Sequence, residues 1–252
     1  METAPSAPPP EDHIIELRNL HKSFENNHVL RGISLYVKDG TTAVVMGGSG
    51  SGKSVLIKNI VRLLEPDEGE VWVMGKRMDQ LESDEVDRIR LSTGYLFQSG
   101  ALFDSMTVNE NLDFILDRHS DLSTQDRKHR IEEALTWVKL PEKGPQYPSE
   151  LSGGQKKRIG LARAIILEPR ILFYDEPTTG LDPISVRIVS ELIVRLRDER
   201  GISAIAITHD LLCAEIINDT VHFLFEGLLI ESGTLEDMRR SEHPELRNFF
   251  GS

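Results

Sequence analysis

The sequence predicts an α/β fold in which a mostly parallel sheet is accompanied by a small antiparallel sheet and interrupted by a helical segment. Three near-continuous apolar runs are typical of parallel strands that are covered on both faces. They are "TTAVVM" from Thr41, "RILFYD" from Arg170 and "ISAIAIT" from Ile202. A loop and a helical pattern follow each run, as in doubly wound α/β proteins. Alternating apolar and polar residues near the N terminus predict the antiparallel strands.

The composition is that of a globular chain with enough apolar residues for a full core. Of its 252 residues, 39% are hydrophobic and 28% are charged, as in ordinary soluble domains. The formal charge of −12 argues against binding of nucleic acid through bulk electrostatics, so we predict no nucleic-acid partner. The single cysteine, Cys213, allows no disulfide framework and no CxxC zinc site. We expect Cys213 to be a small buried side chain.

The N-terminal segment begins with residues 1–12, "METAPSAPPPED", which we predict to be a disordered leader without the features of a signal peptide. The stretches "IIELRNL" from Ile14 and "VLRGISLYV" from Val29 then read as antiparallel strands. In the second stretch, alternation places Ile33, Leu35 and Val37 on one face. The stretch "EVWVMGKRM", from residue 70, predicts a third strand of the same sheet.

The stretch "GGSGSGKS" lies between the first buried strand and a helical pattern, "VLIKNIVRLL". Gly47, Gly52, Lys53 and Ser54 fit the P-loop pattern in that context. Glycines let backbone N–H groups surround phosphates, the lysine supplies a point charge, and the serine hydroxyl is a ligand for Mg²⁺. The predicted nucleotide-binding residues are Gly47, Gly48, Ser49, Gly50, Ser51, Gly52, Lys53, Ser54 and Val55.

A helical and polar stretch, from about residue 106 to residue 137, separates the first two buried strands. Its second half carries an apolar stripe of Ile131, Ala134, Leu135 and Val138. The segment "LPEKGPQYPSE" then ends the helix with three prolines and a glycine. We predict one domain over residues 13–240, a helical subdomain inserted at about residues 99–165, and a short tail at residues 241–252.

The stretch "LSGGQKKRIGLARAI", from Leu151, opens a second helix with two glycines and a serine. Such a helix N-terminus offers free N–H groups and a positive helix end to an anion. Because it lacks a lysine of the P-loop kind, we expect it to complete a phosphate shell without holding a nucleotide alone. The basic run behind it, Lys156, Lys157 and Arg158, predicts a solvated helix face.

Two carboxylates end the second buried strand, in the stretch "ILFYDE". Asp175 lies where a carboxylate can hold a magnesium shell beside a P-loop. Glu176 follows at the carboxyl end of the strand, where it can orient and deprotonate a water molecule. Acidic residues commonly end strands, so the pattern gains its meaning from the P-loop upstream.

These motifs together resemble the nucleotide-binding subunits of ABC transporters, from Ile14 to about Gly233. "LSGGQ" at residues 151–155 is similar to the signature motif of that family, which few other P-loop proteins carry. The resemblance implies a P-loop NTPase fold with a RecA-like core, ATP and Mg²⁺ as ligands, and ATPase activity. It also implies site residues: catalytic Glu176, His209 and Gln98; adenine-stacking Phe24; signature residues Leu151, Ser152, Gly153, Gly154 and Gln155; D-loop Asp182; magnesium ligands Ser54, Gln98 and Asp175.

The same resemblance explains why one chain carries two phosphate-binding loops. In such proteins two subunits pair head to tail, and each ATP lies between the P-loop of one and the signature loop of the other. Hydrolysis removes the bridging phosphate and loosens the dimer, which moves a membrane partner. The resemblance therefore implies a homodimer attached to an integral membrane permease.

The segment "LFQSGALFDSMTVNENL", from Leu96, resembles the ATPases of Mla/MCE systems, which drive lipid movement between membranes. The string from Ser99 to Phe103 and the tail "HPELRNFFG" carry this likeness. It implies phospholipid transport, a permease, an MCE-domain protein, often a STAS-domain protein, and a peripheral position on the cytoplasmic face of the inner membrane. From the residues alone, Ala101, Leu102 and Phe103 suit either a groove for a permease helix or the packing of a hinge.

Three other functions are alternatives to lipid transport. "YPSELSGGQ" is also common in small-molecule importers, so an importer or exporter ATPase stays open. A soluble ABC ATPase that acts on a non-membrane scaffold stays open as well. A P-loop kinase or GTPase is excluded, since kinases lack the signature loop and no guanine-specific NKxD-type tetrapeptide is present.

Overall fold

The computed structural model describes residues 7–251 of the chain. Half of the predicted leader, residues 1–6, and the last residue of the predicted tail lie outside the described residues. Residues 7–12 contain no helix or strand and lead directly into the first strand.

Two sheets form the framework of the described chain. A four-stranded sheet has the order β2-β1-β4-β5, and a six-stranded sheet has the order β10-β9-β3-β8-β7-β6. The strands within residues 7–251 are β1 (His13–Phe24), β2 (Asn27–Lys38), β3 (Thr42–Met46), β4 (Glu68–Val73), β5 (Lys76–Arg77), β6 (Thr93–Leu96), β7 (Ile171–Asp175), β8 (Ser203–Ile207), β9 (Thr220–Phe225) and β10 (Leu228–Gly233).

The smaller sheet is antiparallel throughout, as predicted. Ile33, Leu35 and Val37 all face the core, which confirms the predicted apolar face of β2. The predicted third strand is confirmed as β4, which pairs with β1, but the stretch predicted from residue 70 runs too far, because β4 and β5 are two strands of a hairpin. Met74 and Gly75 have φ values of 51° and 73°, the left-handed conformation of a tight hairpin turn, and they reverse the chain between the strands.

The larger sheet contains the three predicted apolar runs as neighbouring central strands β3, β8 and β7. These strands are parallel to one another and are flanked by parallel β9 and β6, while β10 is antiparallel to β9. All residues of β3 and β8 are buried, which explains why their sequences do not alternate. The loops that follow β3, β6, β7 and β8 therefore leave the sheet at the same edge.

Nine helices lie within the described part of the chain. They are α1 (Lys53–Ile60), α2 (Ser83–Leu91), α3 (Val108–His119), α4 (Thr124–Trp137), α5 (Gly153–Ile165), α6 (Pro183–Arg200), α7 (Leu211–Ile217), α8 (Leu235–Arg240) and α9 (Pro244–Phe250). Helices α3, α4 and α5 pack on one another between β6 and β7, and the predicted apolar stripe of α4 is buried there. The boundaries predicted for a helical subdomain, about residues 99–165, stay a prediction.

Apolar clusters cover both faces of the central strands. On β3, Val44 and Met46 point into one cluster, whereas Ala43 and Val45 point into the other. Cys213 is fully buried, as expected, and burial raises the pKa of its thiol to about 11. None of the helices among residues 7–251 is long and apolar enough to span a membrane.

The C-terminal helices α8 and α9 fold back onto the core. Leu235, Met238 and Leu246 are buried, and the ring of Phe249 meets the ring of Phe223 edge-on at 5.0 Å between centroids. Phe223 lies on β9, next to the strand that leads into the P-loop. The tail therefore brings an aromatic side chain to the edge of the sheet where the candidate site lies.

Candidate functional site

A cavity of about 650 Å³ opens at the edge of the larger sheet where its parallel strands end. The loops after β3, β6, β7 and β8 all contribute to its wall. Its lining residues are Val29, Gly47, Gly48, Ser49, Gly50, Ser51, Gly52, Lys53, Ser54, Val55, Gln98, Asp175, Glu176, Ile207, His209 and Phe249. The structure thus brings the whole predicted P-loop together with both carboxylates, the glutamine and the histidine that the sequence singled out.

The P-loop has a backbone that only glycine can adopt at two positions. Gly47 has a φ of 149°, and a Cβ atom there would lie 2.1 Å from the Leu224 carbonyl oxygen. Gly52 has a φ of 105°, and a Cβ atom there would lie 2.9 Å from the Val29 carbonyl oxygen. Helix α1 begins directly after Gly52, so its unpaired N–H groups point into the loop.

Lys53 is a buried part of the cavity wall, and its ammonium group folds back onto the loop. Its Nζ atom donates to the carbonyl oxygens of Gly47 and Gly48 at 2.9 and 2.8 Å. Burial lowers the pKa of this lysine, and the nearby carboxylates of Glu176 and Asp175 oppose that shift. The ammonium group can exchange these two carbonyl acceptors for phosphate oxygens without a large movement of its side chain.

Asp175 ends β7 as a half-buried carboxylate. Burial raises its pKa, and a hydrogen bond from Tyr95 acts in the opposite direction by favouring the ionised form. The Tyr95 hydroxyl donates to Asp175 Oδ2 at 3.3 Å. Tyr95 is not among the site residues predicted from the sequence, although β6 and β7 are parallel neighbours and Tyr95 pairs with Phe173, two residues before Asp175.

Glu176 has an unusual backbone and a fully engaged carboxylate. Its φ is 51°, in the left-handed region that non-glycine residues rarely adopt, and its N–H donates to the Ile207 carbonyl oxygen at 2.9 Å. The Thr179 hydroxyl donates to Oε2 at 2.9 Å, and Nδ1 of His209 lies 2.9 Å from the carboxylate. In this arrangement Glu176 and His209 hold each other at the mouth of the cavity.

A second hydrogen-bonded pair joins the loops after β7 and β8. Buried Thr178 donates from its hydroxyl to Asp210 Oδ2 at 2.8 Å, while Asp210 Oδ1 accepts from the N–H groups of Leu212 and Cys213 at the start of α7. This pair fixes the loop that carries His209 against the loop that carries Glu176. Thr178, Thr179 and Asp210 are not among the site residues predicted from the sequence, although they lie within three residues of Glu176 or His209.

Lys157 is not on a solvated helix face, so that prediction is wrong at this position. Its side chain is 5% exposed, and its Nζ atom donates to the carbonyl oxygen of Glu176 at 2.8 Å. The reason is helical periodicity, because Lys157 shares the buried face of α5 with Gly160 and Leu161, three and four residues further on. Burial lowers the pKa of this lysine to about 8.

The predicted signature residues lie outside the cavity. Ser152 caps α5: its Oγ atom accepts from the Gln155 N–H at 3.3 Å, and Gln155 Oε1 accepts from the Ser152 N–H at 2.9 Å. Asp182 caps α6, and its Oδ1 atom accepts from the N–H groups of Ile184 and Ser185, each at 3.0 Å. A Cβ atom at Gly153 would lie 3.5 Å from Leu181, so the signature loop and the D-loop meet at a separate, exposed surface.

Phe24 does not line the cavity, whereas Val29 and Phe249 do. The ring of Phe24 is 42% exposed at the end of β1, and Lys22 Nζ lies 5.6 Å from its centroid. Stacking of Phe24 on adenine stays a prediction. Phe249 was missed because nothing in a short tail sequence indicates that it folds back onto β9.

The profile of the ABC transporter family matches residues 30–179 of this chain. The chain belongs to the ABC transporter family. This ABC protein is similar to three curated relatives over nearly its whole length. It is 38% identical to protein trigalactosyldiacylglycerol 3, chloroplastic, of Arabidopsis thaliana, covering 94% of this chain and 73% of the relative.

The other two relatives carry different transport names. A probable ribonucleotide transport ATP-binding protein mkl of Mycobacterium leprae is 34% identical over 93% of this chain and 68% of the relative. The L-cystine import ATP-binding protein TcyN of Bacillus subtilis is 37% identical over 94% of this chain and 92% of the relative. All three relatives are similar to this chain, while the compounds that appear in their names differ.

Solved structures of ABC cassettes share the fold. A dimeric ATP-binding cassette in a post-hydrolysis state, bound to ADP and Pi, superposes with a TM-score of 0.79 at 31% identity, covering 88% of this chain and 98% of that one. The predicted P-loop NTPase fold class is confirmed. The chain is the ATP-binding subunit of an ABC transporter, and its enzymatic activity is ATP hydrolysis.

The donor set of this ABC protein suits Mg²⁺. No group of three or more His, Cys, Asp or Glu side chains within residues 7–251 could hold a metal by itself. The cavity instead combines one carboxylate from Asp175 with oxygen atoms of Ser54 and Gln98. Mg²⁺ is usually bound by one or two protein carboxylates plus substrate phosphates and water, and these residues offer that arrangement.

We expect Tyr95→Phe to raise the Mg²⁺ concentration that gives half-maximal ATPase activity by about fivefold. The change removes one hydrogen bond to the Asp175 carboxylate, worth about 1 kcal/mol. Titration of Mg²⁺ at a fixed ATP concentration measures the shift. Tyr36→Phe, at an exposed tyrosine of the smaller sheet, is the matched control. An unchanged Mg²⁺ titration for Tyr95→Phe would show that this hydrogen bond has no role in metal binding.

Proposed function

We propose that this chain is the ATP-hydrolysing subunit of an ABC transporter that moves phospholipid between membranes. The observation that carries the lipid assignment is the exposed segment after β6, with the sequence "QSGALF" from Gln98. Phe97 and Phe103 are 44% and 43% exposed there, and Ala101 is exposed between them. The relative named for a lipid, trigalactosyldiacylglycerol, supports the same assignment.

The exposed segment favours docking of a permease over packing of a hinge. Leu102 packs partly against the core, but Ala101 and Phe103 are exposed, and the ring of Phe103 meets the ring of Phe114 edge-on at 5.4 Å between centroids. Buried Asn111 holds the segment from below, because its side chain accepts from the Phe103 N–H at 2.8 Å and donates to the Phe103 carbonyl oxygen at 3.1 Å. A fixed, apolar and exposed loop of this kind suits a short helix of a membrane protein.

We propose that ATP binds in the cavity and that a second copy of this chain completes the binding site. The P-loop residues 47–55 and Lys53 hold the phosphates, and the exposed N terminus of α5 at Ser152 and Gly153 contacts the γ-phosphate on the partner copy. The separation of these two surfaces within one chain supports a head-to-tail dimer. The dimeric cassette that shares the fold supports it as well.

In the proposed reaction, the Glu176 carboxylate accepts a proton from a water molecule whose oxygen then bonds to the γ-phosphorus. The bond from that phosphorus to the β–γ bridging oxygen breaks, and ADP carries the released electron pair. His209 turns from Glu176 to the γ-phosphate, and Lys53 stabilises the developing charge on the phosphate oxygens. Mg²⁺, held by Ser54, Gln98 and Asp175, would neutralise phosphate charge when bound.

The proposed complex lies at the cytoplasmic face of the inner membrane. In this complex the chain forms a homodimer that attaches to the membrane through an integral permease. The other subunits are an MCE-domain protein and a STAS-domain protein. A second candidate function is supply of energy to a small-molecule transporter. The specific support for it is the L-cystine import relative, of which this chain spans 92%.

A pull-down of the tagged chain from its native membranes in mild detergent tests the proposal, with mass spectrometry of both proteins and lipids. Recovery of a permease, an MCE-domain protein and enriched phospholipid would support lipid transport. A permease with a small-solute-binding protein would favour the second candidate, and soluble partners alone would overturn both.

Two variants make the docking surface part of that experiment. We expect Phe103→Asp to release the permease because it places a charge in the apolar docking loop. Tyr36→Asp changes an equally exposed ring, 49% against 43%, on the smaller sheet, and it should keep the permease. Binding of a fluorescent ATP analogue confirms that both variants retain an intact P-loop. Retention of the permease by Phe103→Asp would place the docking surface elsewhere.

A further inference from the structure

Helix α5 links three functional segments of this chain. Ser152 caps the helix and Gly153 is its first residue, and both are predicted signature residues; buried Lys157, the fifth residue, donates to the Glu176 carbonyl oxygen at 2.8 Å. Further along, a Cβ atom at Gly160 would lie 3.1 Å from the Cα of Gly100, so the helix also touches the segment after Gln98. The helix is 13 residues long and joins these three segments without a break.

The Lys157 hydrogen bond reaches Glu176 at a place where its backbone needs support. The left-handed φ of 51° costs free energy for a glutamate, so neighbouring groups must impose it. The N–H group of Glu176 is held by the Ile207 carbonyl oxygen at 2.9 Å, and its C=O group is held by Lys157. These two bonds fix the direction in which the side chain leaves the backbone.

The free-energy cost of burying the Lys157 ammonium group indicates that this group has a role besides filling space. A buried ammonium is expensive unless it is paired, and an apolar side chain of similar length would fill the same space without that cost. The charged groups that interact with it are the carboxylates of Asp175 and Glu176. Both belong to the candidate site, so its charge is directed toward the residues that carry the chemistry.

We propose that Lys157 is a positioning residue that fixes Glu176 from the signature helix and so links the two ATP molecules of the dimer. The proposal rests on the head-to-tail dimer proposed above. In that dimer α5 contacts the ATP bound by the partner, whereas Glu176 acts on the ATP bound by its own chain. A displacement of α5 when the partner's γ-phosphate engages Ser152 therefore reaches Glu176 through the Lys157 side chain.

The test compares Lys157→Met with Lys157→Gln in the full chain. Methionine keeps the length and removes the donor, whereas glutamine keeps an N–H donor at a similar reach. We expect Lys157→Met to lower kcat for ATP by about 10-fold to 100-fold, with KM and the Kd of a fluorescent ATP analogue within about threefold of the parent. Lys157→Gln should recover most of the loss. Lys128→Met, on an exposed face of α4, is the matched control.

Two outcomes would overturn the proposal. A Lys157→Met chain whose kcat equals that of the parent would show that Glu176 needs no such support. Equal losses in Lys157→Met and Lys157→Gln, with a lowered Tm in both, would show that the lysine serves stability only.

Combination with Glu176→Gln separates this proposal from the proposed dimer. If Glu176→Gln alone dimerises with ATP and the double variant with Lys157→Met also does, a low kcat of Lys157→Met reports positioning. If only the double variant fails to dimerise, Lys157 closes the interface, and its positioning role is overturned. If Glu176→Gln itself stays monomeric, the head-to-tail dimer fails and the proposed link between the two ATP molecules fails with it.

Discussion

Glu176→Gln is expected to lower ATP turnover by about 10²-fold to 10⁴-fold and to trap an ATP-bound dimer. Glutamine keeps the shape of the side chain and its hydrogen bonds with Thr179 and His209, but it cannot accept a proton from water. The γ-phosphate therefore stays between the P-loop of one copy and the signature loop of the other. Size-exclusion chromatography with light scattering, in saturating ATP and Mg²⁺, measures the mass of the trapped species.

The nucleotide and a second glutamate supply the controls for this result. With ADP in place of ATP the same variant should be monomeric, because the bridging phosphate is missing. Glu168→Gln changes another glutamate with a left-handed backbone, φ 54°, whose carboxylate pairs with Arg130 at 2.5 Å on the surface. We expect its ATPase activity to equal that of the parent. A Glu176→Gln chain that stays monomeric with saturating ATP would contradict the sandwich dimer.

Changes in the signature loop should separate turnover from nucleotide binding. We expect Gly153→Asp to lower ATPase activity by about 10²-fold or more, because a carboxylate at this helix N-terminus repels the partner's γ-phosphate. The same carboxylate is favourable for the isolated helix, since it lies at the positive end of the dipole. A Cβ atom at Gly153 would meet its nearest neighbour, Leu181, at an ordinary 3.5 Å. Loss of activity would therefore not come from unfolding.

Ser152→Ala tests the same surface by a different route. The change removes the cap of α5, which costs about 1 kcal/mol of stability, and it removes a hydroxyl that can reach phosphate. We expect ATPase activity to fall while the P-loop still binds nucleotide. A fluorescent ATP analogue measures binding, and phosphate release measures turnover, for both Ser152→Ala and Gly153→Asp. A loss of binding as large as the loss of turnover would contradict the division of the site between two chains.

The contacts of Lys53 explain why nucleotide binding and ATP hydrolysis can be measured separately. The P-loop, Lys53 and the start of α1 are held within one chain by the Gly47 and Gly48 carbonyl oxygens, with no residue of the signature loop in the cavity wall. Nucleotide binding therefore depends on groups that the signature variants do not touch. Hydrolysis, in the proposed dimer, depends on both surfaces.

The sequence determined the fold class and the local motifs because these are written in consecutive residues. Buried parallel strands need continuous apolar runs, and the three runs became the adjacent strands β3, β8 and β7. The P-loop needs glycines where its backbone adopts a positive φ, as at Gly47 and Gly52. The position of Asp175 at the end of a buried strand also indicated that it would lie beside the P-loop, and the family resemblance implied the same for His209.

Only the tertiary structure decided which side chains support those motifs. Tyr95 and Asp175 are 80 positions apart, and Lys157 and Glu176 are 19 apart, so no local pattern joins either pair. Charge patterning predicted a solvated Lys157, and the packed face of α5 overrode that preference. The reversal at Met74 and Gly75 and the return of Phe249 to β9 depend likewise on the neighbours that each segment meets. Sequence specifies a chemical group, but its burial and partners come from the whole packed chain.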